Sequence, residues 1–222
     1  MTHRSVVFLN NSGRGGTVCL FQTDPGLAVD GVKSLAWLTK EVNPTTRVIF
    51  RWALDYVFVW YDSGKLAPGV VCVASQVRPA HLTGYNQVDF TRNHHGFLFE
   101  DDAEGHQDLG NLYILQDETI PLDRVAVGIG MAGQGALVVQ AQPNLTYKFV
   151  SPNPQYWITF GNFRTGEILE VGALPTPVAR IDFPDNVDSM TAVLDTEERW
   201  TVRPTHEVFC PHGGDQAAGS AA

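Results

Sequence analysis

The sequence predicts an all-β protein: a two-sheet antiparallel β-sandwich, jelly-roll-like, with at most one short helix. Three observations lead there. Short apolar runs rich in Val, Ile, Phe, Tyr and Trp recur along the chain, and these residue types fit a pleated, half-buried surface. Turn clusters of Gly, Asn, Asp and Pro separate them about every 8–12 residues, the rhythm of a sandwich or barrel. The 13 Pro and 21 Gly are spread between the runs, which interrupts helices.

The elements follow in order. S-V-V-F-L-N at 5–10 is closed by the turn cluster N-S-G-R-G-G, and T-V-C-L-F-Q at 17–22 is the second strand. S-L-A-W-L-T-K at 34–40 is the best helical segment and fits a strand equally well. R-V-I-F-R-W (47–52) precedes D-Y-V-F-V-W-Y (55–61), which stops at the turn D-S-G-K. G-V-V-C-V-A-S-Q (69–76) is a further strand. Q-V-D-F-T (87–91) and G-F-L-F-E (96–100) bracket T-R-N-H-H-G as a hairpin. N-L-Y-I-L, V-A-V-G-I-G, A-L-V-V-Q-A-Q, T-Y-K-F-V, Q-Y-W-I-T-F, E-I-L-E-V, M-T-A-V-L-D and W-T-V-R-P complete the set. Residues 1–204 read as one sandwich domain. Residues 205–222 read as an extended or mobile tail, because G-G-D-Q-A-A-G-S-A-A offers nothing to pack.

A weak internal repeat runs through this order. G-R-G-G-T-V-C-L-F-Q at 13–22 aligns with G-Q-G-A-L-V-V-Q-A-Q at 133–142, and Y-V-F-V-W at 56–60 with Y-W-I-T-F at 156–160. A duplication that supplies two facing sheets is one reading; chance likeness between β-hairpins is the other.

Composition narrows the partners. The net charge of −9 argues against nucleic acid and anionic membranes, both of which need clustered Lys and Arg. No apolar run approaches the ~20 residues of a membrane-crossing helix. The start, M-T-H-R-S-V-V-F-L, holds an apolar run too short for a signal peptide, so a cytoplasmic protein is expected, with leaderless export left open. Three Cys, an odd number, argue against a disulfide framework, and Cys19 and Cys72 sit in apolar runs as small buried hydrophobes.

The stretch V-G-I-G-M-A-G-Q-G at 127–135 has the G-x-G-x-x-G spacing of a dinucleotide fingerprint at Gly128, Gly130 and Gly133. That motif needs a helix behind it, to hold phosphate at its N-terminus, and an acidic residue some 20 positions on. Q-G-A-L-V-V-Q-A-Q is a strand pattern ending at Pro143, and the first acid downstream is Glu167. The run therefore reads as a glycine-rich hairpin with positive-φ positions.

Candidate chemistry is sparse. Glu100, Asp102 and Glu104 occupy the first, third and fifth positions of a calcium loop, but position twelve is Asn111 rather than a bidentate Glu. His206, Cys210 and His212 have zinc- or copper-ligand chemistry without a fourth ligand of matching spacing. No cofactor is expected; a divalent metal would use one of these two sets. The acid–base candidates are Asp55, Asp62, His81, His94 and His95, with no local signature for a Ser or Cys nucleophile. Trp52, Tyr56, Phe58 and Trp60 share one strand face by even spacing, and Tyr156 repeats the pattern. Trp52, Tyr56, Trp60 and Tyr156 are thus the candidates for an aromatic-lined ligand cleft, set against ordinary core packing.

Several stretches together resemble the rhizosphere-induced protein (RhiA-like) family. They are N-N-S-G-x-x-G-T-V-C-L-F-Q-T-D-P at 10–25, S-L-A-W-L-T-K at 34–40, D-Y-V-F-V-W at 55–60 and L-A-P-G-V-V at 66–71. V-G-I-G-M-A-G-Q-G-A-L-V-V-Q-A-Q-P-N, P-Q-Y-W-I-T-F-G-N and S-M-T-A-V-L complete the match, which runs from about residue 5 to 203. The resemblance implies a soluble bacterial protein associated with quorum-sensing-regulated or secondary-metabolism genes, and carries over no catalytic residue. The leading expectation is a non-enzymatic binding or accessory protein for a small molecule, glycan or protein partner. An enzyme of specialised metabolism and a self-assembling homo-oligomer are the alternatives.

Overall fold

The computed structural model describes residues 3–27, 29–100, 108–174 and 176–209. In chain order the strands begin with β1 (His3–Asn10), β2 (Gly16–Thr23), β3 (Lys33–Leu35), β4 (Leu38–Val42), β5 (Arg47–Ala53) and β6 (Tyr56–Tyr61). There follow β7 (Ala74–Ala80), β8 (Gln87–Asn93), β9 (Gly96–Glu100), β10 (Leu112–Gln116), β11 (Ala126–Met131) and β12 (Gln134–Gln140). The last are β13 (Thr146–Phe149), β14 (Gln155–Gly161), β15 (Ile168–Leu169), β16 (Val178–Ile181), β17 (Ser189–Leu194) and β18 (Trp200–Pro204). One short helix, α1 (Thr205–Phe209), and a 3-10 turn at Val171–Ala173 are the helical elements among the described residues. Among the described residues no helix is long and apolar enough to cross a membrane.

The fold is all-β and sandwich-like, but the described residues form four sheets where the sequence pointed to two. Sheet β18-β17-β1-β5 packs on sheet β16-β14-β2-β4 around Phe8, Leu20, Phe50, Ile158 and Phe160. The six-stranded sheet β15-β3-β12-β11-β6-β7 packs on β13-β10-β8-β9 around Phe58, Phe90, Phe99, Leu112 and Phe149. Each ring so buried stabilises the fold by roughly 1.5–3 kcal/mol. Among the described residues strand pairing is antiparallel except for the parallel pairs β1–β17 and β8–β10.

The reason for two sandwiches lies in strands that are apolar on both faces. On β2, Val18 and Leu20 enter the first core, whereas Cys19 and Phe21 pack on Phe163 and Leu169 behind it. On β6, Phe58 and Trp60 enter the second core, whereas Val57, Val59 and Tyr61 pack with Leu35, Cys72 and Ile168. Such runs fit central layers covered on both sides. The segment at 69–76, expected as one strand, is mostly a strap. Val71 makes only an isolated bridge to Glu167, Val70 and Cys72 pack down on the back of β6, and the strand starts at Ala74.

The 34–40 segment resolves into two strand pieces, β3 and β4, broken at Ala36 and Trp37. The matched halves of the internal repeat do not hold matched positions. β2 lies beside β14, whereas β12 is separated from β6 by β11. His206 is on α1, and Thr205 at its start is hydrogen-bonded to Ser189 and Thr191.

Candidate functional site

The glycine run builds the site by bending a hairpin. β11 and β12 join through Ala132 and Gly133, with φ of 52° and 74°. Two positive φ values at a two-residue connection are the type I′ turn, whose twist suits a hairpin. The register then slips at Ile129/Gly130: Ile129 faces Leu137 and Gly130 faces Gly135, so Ala136 is the extra residue of a β-bulge. The bulge turns the hairpin tip across the interface between sandwiches. Ile129, Leu137 and Val139 stay in the second core, while Met131 and Ala136 enter the first. Gly133 is followed by the strand β12 and not by a helix, as the strand pattern predicts.

This tip forms one wall of a cleft of about 320 Å³. Its floor is made by Trp37, Tyr61 and Cys72, each at most 4% exposed. Val73, Ala74, Gln134 and Thr165 rim the mouth, where Val73 is 77% exposed. The strap over the back of β6 is tied down by backbone bonds: Cys72 N donates to Gly166 O at 2.8 Å, and Gly166 N to Ala36 O at 2.9 Å. Gly135 matters for what it lacks, since a Cβ there would lie 1.8 Å from the Tyr61 hydroxyl. Trp37 Nε1 donates to Met131 O at 3.3 Å, which locks the indole to the hairpin tip.

Burial sets the chemistry of the floor. It raises the Tyr61 phenol well above its usual range, with the neighbouring Cys72 adding to the effect. Burial likewise pushes the Cys72 thiol up to about 11, against a smaller opposing effect of Ser63. Both groups are therefore neutral donors at physiological pH rather than nucleophiles.

Of the aromatic candidates, Trp52 and Tyr156 meet, with ring centroids 5.3 Å apart. They form the layer behind Trp37, which contacts Trp52 edge-on at 5.4 Å and Tyr156 at 6.3 Å. Phe183 and the Arg4 guanidinium close this layer from outside, Arg4 lying 4.4 Å from the Phe183 ring centre. Tyr56 touches both cores and donates to Pro152 O at 2.6 Å. Trp60 belongs to the second core, against Phe90 and Phe97, with its Nε1 donating to Gln76. Even spacing placed Trp52 on the face of Tyr56 and Trp60, but the turn at Leu54–Asp55 puts Trp52 in a different sheet.

The acid–base candidates are exposed and dispersed. Asp55 occupies the β5–β6 turn, and Asp62 pairs with Arg124 on the surface at 3.0 Å. His81 sits near Tyr85 in the loop before β8, while His94 and His95 lie side by side at the tip of the β8–β9 hairpin. Glu100 ends β9; Asp102 and Glu104 lie outside the described residues, as do Cys210 and His212. Among the described residues no three His, Cys, Asp or Glu side chains converge on a metal position.

Sequence reasoning missed Trp37 and Cys72 as site residues and left Tyr61 on an unassigned face. Beside Tyr156, Gln22 carries a buried amide nitrogen without a hydrogen-bond partner. Replacing it by the near-isosteric Met should raise stability by about 1 kcal/mol in urea unfolding, since an unpaired buried donor is removed. A loss of stability would show that the amide is satisfied in solution.

A model of the RhiA family matches residues 1–205. The chain is 34% identical over 206 residues to Protein RhiA of Rhizobium leguminosarum bv. viciae, which covers 91% of this chain and 87% of that protein. No solved structure matches it significantly. The matched span takes in both sandwiches, the strap and every residue of the cleft, and on this footing the chain belongs to the RhiA family.

Proposed function

We propose that this RhiA-family chain is a binding protein whose cleft above Trp37, Tyr61 and Cys72 holds a small, largely apolar molecule. The observation that carries the reading is the combination of an apolar floor, a glycine-lined wall and an exposed Val73 at the mouth. Concave, mainly apolar sites of about 300–1,000 Å³ with a few placed polar groups are the usual form of small-molecule sites. The enzyme alternative finds less support. Asp55, Asp62, His81, His94 and His95 stand on separate exposed loops, and general acid–base chemistry requires such groups to converge on one substrate.

Native mass spectrometry of the protein purified from the organism that makes it tests the proposal. A bound mass is expected on the wild-type chain and should be lost from Ala74→Trp, which blocks the mouth at an exposed position without touching the core. A ligand retained by Ala74→Trp would move the site elsewhere.

A further inference from the structure

We infer that the ligand of this cleft is uncharged and presents a hydrogen-bond acceptor, such as a carbonyl or ether oxygen, to the Tyr61 hydroxyl. The inference rests on the binding reading above and narrows it to a chemical class.

Two independent observations carry it. The first is a phenol with an unused donor. Tyr61 is 2% exposed, and its hydroxyl has no hydrogen-bond partner among the described residues. The other tyrosines with buried or half-buried rings find partners: Tyr56 donates to Pro152 O, Tyr147 to Gln140 O, Tyr113 to Asp108 and Tyr156 to Met131 Sδ. The Tyr61 oxygen is not among the buried polar atoms left without a partner, so it is reached through the cleft, and whatever fills the cleft takes its hydrogen bond. The Tyr61 hydroxyl borders the cleft where Gly135 has no side chain.

The second observation is charge. None of the described residues lining this cleft is ionisable at neutral pH, apart from the thiol and phenol whose protons burial retains. Three larger depressions on the same molecule are lined by charged groups. One carries Arg14 and Glu41, another Asp24, Asp30, Lys33 and Glu170, and the third Asp89, Glu100 and Asp117. An ion entering the Tyr61 cleft would lose water without gaining a counter-ion, a penalty of several kcal/mol. The net charge of −9 opposes anions further. A cation would need an open aromatic face, and Trp37 and Tyr61 expose almost none of theirs. The volume, at the low end for small-molecule sites, suits one ring with a short substituent.

The test uses four probes of matched shape on the full chain: acetophenone, ethylbenzene, benzoate and benzylammonium, followed by chemical-shift titration. Acetophenone should bind the wild-type protein about five- to tenfold more tightly than ethylbenzene, the gain of one buried hydrogen bond. Benzoate and benzylammonium should be at least about tenfold weaker than acetophenone. Tyr61→Phe keeps the ring and removes the hydroxyl, so acetophenone and ethylbenzene should bind it equally, and Ala74→Trp should bind neither. If benzoate or benzylammonium binds as tightly as acetophenone, the uncharged class is wrong. If wild-type protein does not prefer acetophenone to ethylbenzene, or Tyr61→Phe keeps the preference, the hydroxyl's role is wrong. If none of the four probes perturbs the cleft resonances, the binding reading itself falls, and the inference with it.

Discussion

Gly128→Ala and Gly130→Ala should each destabilise the protein by at least about 3 kcal/mol, a large part of the stability of an ordinary domain. The reason is backbone, not turn conformation. A Cβ at Gly128 would stand 2.0 Å from Leu137 O, and one at Gly130 would stand 1.9 Å from Gln134 O. Both oxygens belong to the paired strand, so relief requires the strands to separate at the bulge, and the bulge delivers Met131 and Ala136 to the first core. Gly133 is different. Its φ is +74°, with nothing within 4 Å of an added Cβ, so Gly133→Asn should cost no more than about 1 kcal/mol. Urea unfolding of the three variants checks the order. A dinucleotide-type loop, where all three glycines approach a ligand, predicts comparable damage to binding from each and little damage to stability. Equal stability losses at positions 128 and 133 would contradict the coiled-hairpin account.

The same hairpin shows how far sequence reasoning reached. Its existence and its turn were legible, because turn chemistry and strand composition are local. That Gly128 and Gly130 serve close approach rather than positive φ was not, since the oxygens they accommodate lie on the partner strand. Strand composition also gave β2 and β6 correctly. It did not reveal that both are buried on two faces, which requires four sheets, because a continuous apolar run does not say what covers its second side. The site suffered in the same way. Alternation along 52–60 groups Trp52 with Tyr56 and Trp60, yet one turn at Leu54–Asp55 sends Trp52 to the first sandwich and Trp60 to the second. Trp37, on a two-residue break between strand pieces, has no periodic neighbours to announce it, although it is the side chain on which the cleft and the Trp52–Tyr156 layer both rest.

Alkaline unfolding should be steep and should begin near pH 9. Cys19 is fully buried, and burial raises its thiol far above the ordinary value of 9.0, with Glu167 adding to the effect; Cys72 is raised from 9.0 to about 11. In the folded chain both thiols keep their protons, whereas in the unfolded chain they ionise near 9. The unfolded state therefore binds fewer protons above that pH, and stability must fall as pH rises. The contribution is intact below pH 9 and is lost progressively through the folded values. Each such thiol costs about 1.4 kcal/mol per pH unit in this window, so the pair gives a slope of roughly 2.7 kcal/mol per unit between pH 9.5 and 10.5. Tyr56, Tyr61 and Tyr156, all raised chiefly by burial from 10.0, add to the slope from about pH 9 upward. Against a typical net stability of about 5–15 kcal/mol, global unfolding by about pH 11 is the expected outcome. Urea unfolding under reducing conditions at pH 7, 9, 9.5 and 10 measures the slope, and Cys19→Ala apportions it. The variant begins less stable by the small cavity it creates, but its slope between pH 9 and 10 should be shallower than wild type by about a third, because the raised tyrosines share the slope. An unchanged slope in Cys19→Ala would mean that the thiol at position 19 meets water in the native protein. The two-faced burial of β2, on which the four-sheet arrangement depends, would then be wrong at its centre.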